Sequence, residues 1–149
     1  MTTGQPDFED FFHSYVAAFN RSLGESVDAE GIRKHFSDIF IAAGPDSLAT
    51  GENDDTFSKT LEKGYDFYKS IGTTHMAVES AQPVDIDETH FLVKVGYHAT
   101  YEKDGDEITI PFEVSYLIEV RNGHPKIFGF VAGDEMALYR EHGLVPDAE

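Results

Sequence analysis

Cysteine is absent from the 149-residue sequence. Its absence excludes disulfides, thiol nucleophiles and thiolate metal sites together, as a reducing compartment permits. Basic residues are scarce: 11 Lys and Arg stand against 28 Asp and Glu, for a net charge of −17. A field of that sign repels phosphate backbones and anionic lipid surfaces, and no Lys/Arg cluster offsets it locally, so neither nucleic acid nor membrane is expected as a partner. The ordinary reading of the acidity is solubility; the sharper one is attraction of a cationic ligand. No apolar run approaches the ~18 residues of a membrane helix, and Met1 to Asp10 are polar and acidic where a signal peptide is basic and then apolar. A cytoplasmic protein is expected. Nucleophile elbow, phosphate loop and metal signature are all missing, so the residues name no reaction and no cofactor.

What the chain does contain is core-forming material. Hydrophobic residues make up 40% and aromatics 13%, with 12 Phe and 7 Tyr, enough for one domain over residues 1–149. From Phe8 to Leu23 the residues Phe8, Phe11, Phe12, Tyr15, Val16, Phe19 and Leu23 recur at helical spacing, with Asp7 as cap and Gly24 as stop. Asp28 caps a shorter helix over Ala29 to His35. Phe36 to Ala43 reads as a strand, Gly44-Pro45-Asp46 as a turn, and Asn53, Asp54 and Asp55 as cap candidates for a third helix running to Ile71 and closed by Gly72. Phe57, Leu61, Tyr65, Tyr68 and Ile71 share one face of it, although Gly64 within it costs about 1 kcal/mol relative to Ala.

Four strands follow, about Thr74 to Val84, His90 to Tyr101, Ile108 to Val120 and Pro125 to Gly133. Asp104-Gly105 and Asn122-Gly123 separate the last three, and these dipeptides best tolerate the positive φ of a two-residue hairpin. The first turn sets Tyr97 opposite Phe112 and Val93 opposite Tyr116; the second sets Glu119 opposite Lys126 and Tyr116 opposite Gly129. The inward face then carries Met76, Val78, Phe91, Val93, Val95, Tyr97, Phe112, Val114, Tyr116, Ile118, Ile127 and Val131, which the helices must cover. The opposite face mixes Lys94, His98, Glu113 and Glu119 with Leu92, Leu117, Phe128 and Phe130. Clustered apolar area on an outer face marks an interface, so a homodimer through the back of the sheet is expected. In the alternative, Met136 to Val145 fold back over that patch. Asp147 to Glu149 read as a frayed end.

The element order, His35-Phe36-Ser37-Asp38 leading into the first strand, Gly44-Pro45 after it, and Thr50-Gly51 before the third helix resemble the nuclear-transport-factor-2-like superfamily, which includes SnoaL-like polyketide cyclases and ketosteroid isomerases. The resemblance spans Phe8 to about Leu138. It implies an α+β cone in which a curved antiparallel sheet wraps three N-terminal helices, a deep pocket lined by inward side chains, and dimers through the sheet. Members divide between enzymes and proteins that only bind. Ketosteroid isomerase-like members carry an Asp before the Pro that follows the first strand; here Gly44 precedes Pro45, so the matching base is missing. Their helix-one phenol has a counterpart in Tyr15. The His/Asp pair of the dehydratase-like members has no match.

A pocket in such a cone would be lined by Tyr15, Phe19, Phe40, Tyr65, Val93, Tyr97, Phe112 and Tyr116, with Gly129 leaving a side-chain-sized gap. Inward phenols can orient a ligand carbonyl or stabilise an enolate, or simply be satisfied core residues. Asp134, at the end of the last strand, is a candidate proton-transfer carboxylate if held against aromatics, and otherwise a helix cap for Ala137. Of the seven His residues only His35 is placed to reach the pocket. His75 and His98 approach each other across a hairpin without a third ligand, so no metal is expected. Catalytic candidates are therefore Tyr15, His35 and Asp134. The leading expectation is a binder of a small, largely apolar molecule; an acid-base isomerase, dehydratase or cyclase acting on a carbonyl compound, and a structural dimerisation or accessory domain, are the alternatives.

Overall fold

Asp104 and Asn122 have positive φ (54° and 53°), and each hands over to a glycine of positive φ, Gly105 at 84° and Gly123 at 77°. Positive φ at both central residues is what a type I′ hairpin requires, and these two turns fold the second half of the chain into a meander. The computed structural model describes residues 7–145; the frayed end expected at Asp147 to Glu149 lies outside them. In chain order the elements are α1 (Phe8–Ser22), α2 (Ala29–Arg33), β1 (Phe36–Gly44), β2 (Ser47–Glu52), α3 (Asp55–Ser70), β3 (Thr73–Asp85), β4 (His90–Lys103), β5 (Asp106–Arg121), β6 (His124–Ala132) and α4 (Glu135–Glu141). The strands form one sheet in the order β2-β1-β6-β5-β4-β3. It is curved and unclosed, with the helices against its inner face, an α+β architecture.

Helix ends follow the local chemistry. Asp7 accepts from the Asp10 N–H, Asp28 from Gly31 and Asp54 from Thr56 and Phe57, so side-chain oxygens satisfy N–H groups that the first turns leave unpaired. Asn20 ties α1 to β3 in both directions, its Nδ2 donating to the Met76 carbonyl (2.9 Å) and its Oδ1 accepting from the Met76 N–H (2.8 Å).

Pairing of β4 with β5 places Tyr97 opposite Phe112 and Val93 opposite Tyr116. Between β5 and β6, Glu119 faces Lys126 as the turn dictates, and then the register shifts: Ile118 pairs with Ile127, but Leu117 pairs with Gly129 and Tyr116 with Phe130. Phe128 is the extra residue of a β-bulge, and one inserted residue reverses the facing of every side chain beyond it. The expected Tyr116–Gly129 pair is therefore corrected. Gly129 lies on the outer side, where a Cβ would meet Leu117 Cδ1 at 3.1 Å; Phe130 turns inward and packs on the core; Val131 turns outward.

Two further features depart from expectation. Thr50 and Gly51 belong to an edge strand, β2, which pairs antiparallel with β1 from Ile39↔Glu52 to Gly44↔Ser47. The sheet is also not wholly antiparallel, because β1 runs parallel to β6, with Phe36 opposite Ile127 and Ile41 opposite Gly129. A strand entering from helices rather than from a hairpin has no turn to force its direction.

The inner face divides into two clusters. The larger joins Phe8, Phe12, Val16 and Phe19 of α1 to Phe91, Val93, Val95, Ile118 and Ile127. Five of these, Phe12, Val93, Val95, Ile118 and Ile127, have no exposed surface, each contributing roughly 1.5–3 kcal/mol by burial. The smaller joins Ile71, Ala99, Tyr101 and Ile110 to Tyr139 and Leu144. The C-terminal segment thus packs on the inner side, at the far end of β4, and does not cover the outer patch.

Candidate functional site

Along β4 the inward residues begin as Phe91, Val93 and Val95 and end as Tyr97, Ala99 and Tyr101; Ala99, with its single methyl, stands between two phenols. Inward residues of β5 run Phe112, Val114 and Tyr116. Opposite them α1 contributes Tyr15 and Phe19, α3 contributes Tyr65 and Tyr68 three residues apart, and α4 contributes Glu135 and Tyr139. Between these walls lies a cavity of about 300 Å³. All seven tyrosines of the sequence line it, together with Thr73, Met76, Gly64 and Phe130 among others.

Its polar groups are few and specific. The Tyr97 and Tyr116 hydroxyls lie 2.7 Å apart, so one donates to the other and a single proton of the pair is left to point elsewhere. Tyr139 Oη donates to Glu135 Oε1 at 3.2 Å. Thr73 Oγ1 is fully buried and has no hydrogen-bond partner among the described residues. An unpaired buried hydroxyl is costly and uncommon, and calls for an explanation in the chemistry of its surroundings.

Burial dominates the electrostatics. It pushes the Tyr15 phenol up to about 12, with the Glu135 carboxylate adding to the shift, and raises Tyr65, Tyr68, Tyr97, Tyr116 and Tyr139 further. These phenols stay neutral donors across the physiological range. Glu135, half-buried, is the one carboxylate on the cavity wall among the described residues; burial raises it above its ordinary value, and the Tyr139 hydrogen bond partly offsets that rise. Among the described residues no Lys, Arg or His side chain lines the cavity.

Of the residues singled out from sequence, Tyr15, Phe19, Tyr65, Tyr97, Phe112 and Tyr116 are brought together on this wall. Phe40 sits behind it, packed on Phe36 and Phe57 at ring separations of 5.0 and 4.8 Å. Val93 lies in the solid part of the core, and Gly129 is on the other face of the sheet. His35 does not reach the cavity: its Nδ1 is 2.7 Å from the Gly31 carbonyl and its Nε2 3.0 Å from Ser14 Oγ, and burial lowers its pKa. Asp134 is an exposed helix cap accepting from the Ala137 N–H (2.9 Å). The carboxylate that meets the aromatics is its neighbour Glu135, which sequence reasoning missed along with Thr73, Tyr68, Tyr101 and Tyr139. Tyr68 shares the α3 face of Phe57 and Tyr65, and Tyr101 alternates in phase with Tyr97 along β4; Glu135 carries no signal beyond following a cap. On the outer face His98 Nε2 meets Glu79 Oε2 at 2.5 Å, and His75 pairs with Thr100 rather than with His98. Among the described residues no group of three His, Asp or Glu side chains is placed to hold a metal ion, and no described helix is long and apolar enough to cross a membrane.

This arrangement, helices against a curved sheet, is shared with proteins of known structure. The model of the family described as NTF2-like protein (DUF6841) matches residues 6–135, and the chain belongs to that family. No curated protein matches it in sequence. Among solved structures, it is similar to an NTF2-like protein with a cystatin-like fold from Novosphingobium aromaticivorans (TM-score 0.66, 9% identity, covering 95% of this chain and 88% of that one). It is also similar to a ketosteroid isomerase-like protein from Erwinia carotovora atroseptica (0.58, 18%, 84% and 91%). A third likeness is to the β subunit of the benzoate 1,2-dioxygenase from Burkholderia mallei (0.63, 13%, 89% and 92%). At such identities the likeness establishes the fold and leaves the function to the site.

Proposed function

We propose that this chain binds a small, largely aromatic or apolar organic molecule in the tyrosine-lined cavity, with the phenols and Thr73 fixing its orientation. The observation that carries this reading is the convergence of every tyrosine on one hollow that also holds an unpaired buried hydroxyl. Tyrosines needed only for packing would be distributed through the core as the phenylalanines are. A concave, mostly apolar site with a few convergent polar groups is how small-molecule pockets are built, and about 300 Å³ is at the lower end of their range. Thermal-shift screening of aromatic and alicyclic metabolites tests it: a ligand at ~100 times its dissociation constant stabilises by about 2.7 kcal/mol. The proposal fails if no compound that stabilises the native protein loses its effect in Gly64→Leu, which places a side chain where a Cβ meets open space on the cavity wall.

One observation favours an acid-base enzyme as a second reading. Glu135 combines a raised pKa with a cavity position, and the Tyr97–Tyr116 pair offers one free proton from the opposite wall of the same cavity. Proton exchange into deuterated water from enolisable ketones measures it; exchange unchanged in Glu135→Gln counts against it.

We also propose that the outer face of the sheet pairs with a second copy of the chain. Ile41, Gly129, Leu117 and Leu92 form one row across β1, β6, β5 and β4, bordered by Phe128 and by Ile39 and Val131, which are 69% and 55% exposed. Light scattering on the native protein and on Ile41→Asp tests this, with a dimer expected for the first and a monomer for the second.

A further inference from the structure

The cavity wall has a charge character that an apolar ligand alone does not account for. Among the described residues Glu135 is its only ionisable group besides phenols, and no Lys, Arg or His side chain lines the cavity to neutralise it. Half-buried among aromatics, the Glu135 carboxylate has the Tyr139 hydroxyl as a hydrogen-bond donor, while the ordinary counter-charge, an Arg or Lys, is absent from the wall among the described residues. Around it the rings stand at steep angles: Tyr15 and Tyr116 at 71°, Tyr97 and Tyr116 at 83°, Tyr65 and Tyr68 at 80°, Tyr101 and Tyr139 at 66°, with centroids 5.6–6.5 Å apart. Electron-rich rings set at angles around a small space, with one carboxylate among them, are the environment that stabilises a weakly hydrated organic cation. The net charge of −17 adds a long-range field of the same sense.

We infer that the ligand of this cavity is an organic cation, a quaternary or heavily alkylated ammonium, held by the tyrosine rings with Glu135 as its counter-ion. The inference rests on the cavity being a ligand site and specifies what that site selects. A compact alkylammonium suits it better than a bare amine, because methyl groups against the rings replace the hydration that a primary ammonium would lose. Thr73 Oγ1 remains available to a hydroxyl or carbonyl elsewhere on the same molecule.

Proton linkage follows from the geometry. The titratable groups that share the cavity with Glu135 among the described residues are Tyr139 on its own helix, Tyr65 and Tyr68 on α3, Tyr15 on α1, Tyr97 and Tyr101 on β4 and Tyr116 on β5, all phenols that stay protonated as the carboxyl titrates. A bound cation favours the ionised carboxylate. Its affinity therefore increases as pH rises through the titration of Glu135, and that dependence is absent in Glu135→Gln.

The decisive comparison uses two probes of matched shape, (4-hydroxyphenyl)trimethylammonium and 4-tert-butylphenol, titrated calorimetrically into the native protein and into Glu135→Gln. The cation is expected to bind the native protein roughly tenfold or more tightly than its neutral counterpart, corresponding to about 1.4 kcal/mol. Glu135→Gln, with its fold checked by circular dichroism, is expected to lose that preference. Equal or tighter binding of 4-tert-butylphenol by the native protein overturns the cation inference and leaves the ligand-site reading standing. Binding of neither probe overturns both.

Discussion

The two ends of strand β4 line the same face of the same sheet and do opposite things. Phe91, Val93 and Val95 meet Phe8, Phe12, Ile118 and Ile127 in a buried floor, whereas Tyr97, Ala99 and Tyr101 line a hollow. Alternation is identical in both halves, so burial pattern alone does not distinguish core from site. Side-chain chemistry does: no tyrosine is among these floor residues, whereas all seven line the hollow beside Phe19, Phe112 and Phe130, with the small Ala99 between two of them. A phenol can present an apolar body and a polar tip to a guest, which phenyl and aliphatic groups cannot.

The largest expected effect is in the floor. Phe12→Ala removes a ring with no exposed surface and is expected to lower unfolding stability by about 3–5 kcal/mol in urea titration, while Tyr68→Phe, on the wall of the hollow, shifts the same transition little. Next, Thr73→Val replaces an unpaired buried hydroxyl by a methyl group of the same shape, and stability is expected to rise by about 1 kcal/mol. Loss of stability on that substitution would mean that Thr73 has a polar partner in solution, which sharpens the case for an occupant.

Two glycines extend the contrast. At Gly64 a Cβ meets nothing within 4 Å, and Gly64→Ala is expected to stabilise α3 by roughly 0.5–1 kcal/mol. At Gly51, where a Cβ would stand 2.5 Å from the Phe40 ring, the same change is expected to destabilise. The smallest effect is a pH dependence. Because burial raises the Glu135 pKa in the folded state, the native chain binds more protons there than the unfolded one. The contribution is fully present below the ordinary carboxylate range and is lost as pH rises through the raised value. Glu135→Gln is therefore expected to flatten thermal stability against pH across that window.

Legibility in the sequence followed the range of the interactions. Asp104-Gly105 and Asn122-Gly123 announce themselves because a two-residue turn is decided by two residues, and the Tyr97–Phe112 register follows from them. The bulge at Phe128 is decided by how β6 meets both β5 and β1, and one misplaced residue there moved Gly129 and Phe130 to the wrong faces. Strand β2, Ser-Leu-Ala-Thr-Gly-Glu, has weak strand propensity and exists because β1 offers it an edge. Asp134, on sequence a catalytic candidate or else a helix cap, is the cap; the direction of Glu135 is not legible because it depends on the phase of a seven-residue helix, fixed by the packing of Tyr139 and Leu144 on Ile71 and Ala99.

Tyrosine emission tests the division between floor and hollow most directly, since the sequence has no tryptophan and every tyrosine lines the cavity. Titration with tetraethylammonium or cyclohexanol, which do not emit, is predicted to change that emission saturably at one site in the native protein and to leave Gly64→Leu unchanged. A linear response of equal slope in both proteins would contradict the account, because it would mean that nothing enters the space the tyrosines enclose.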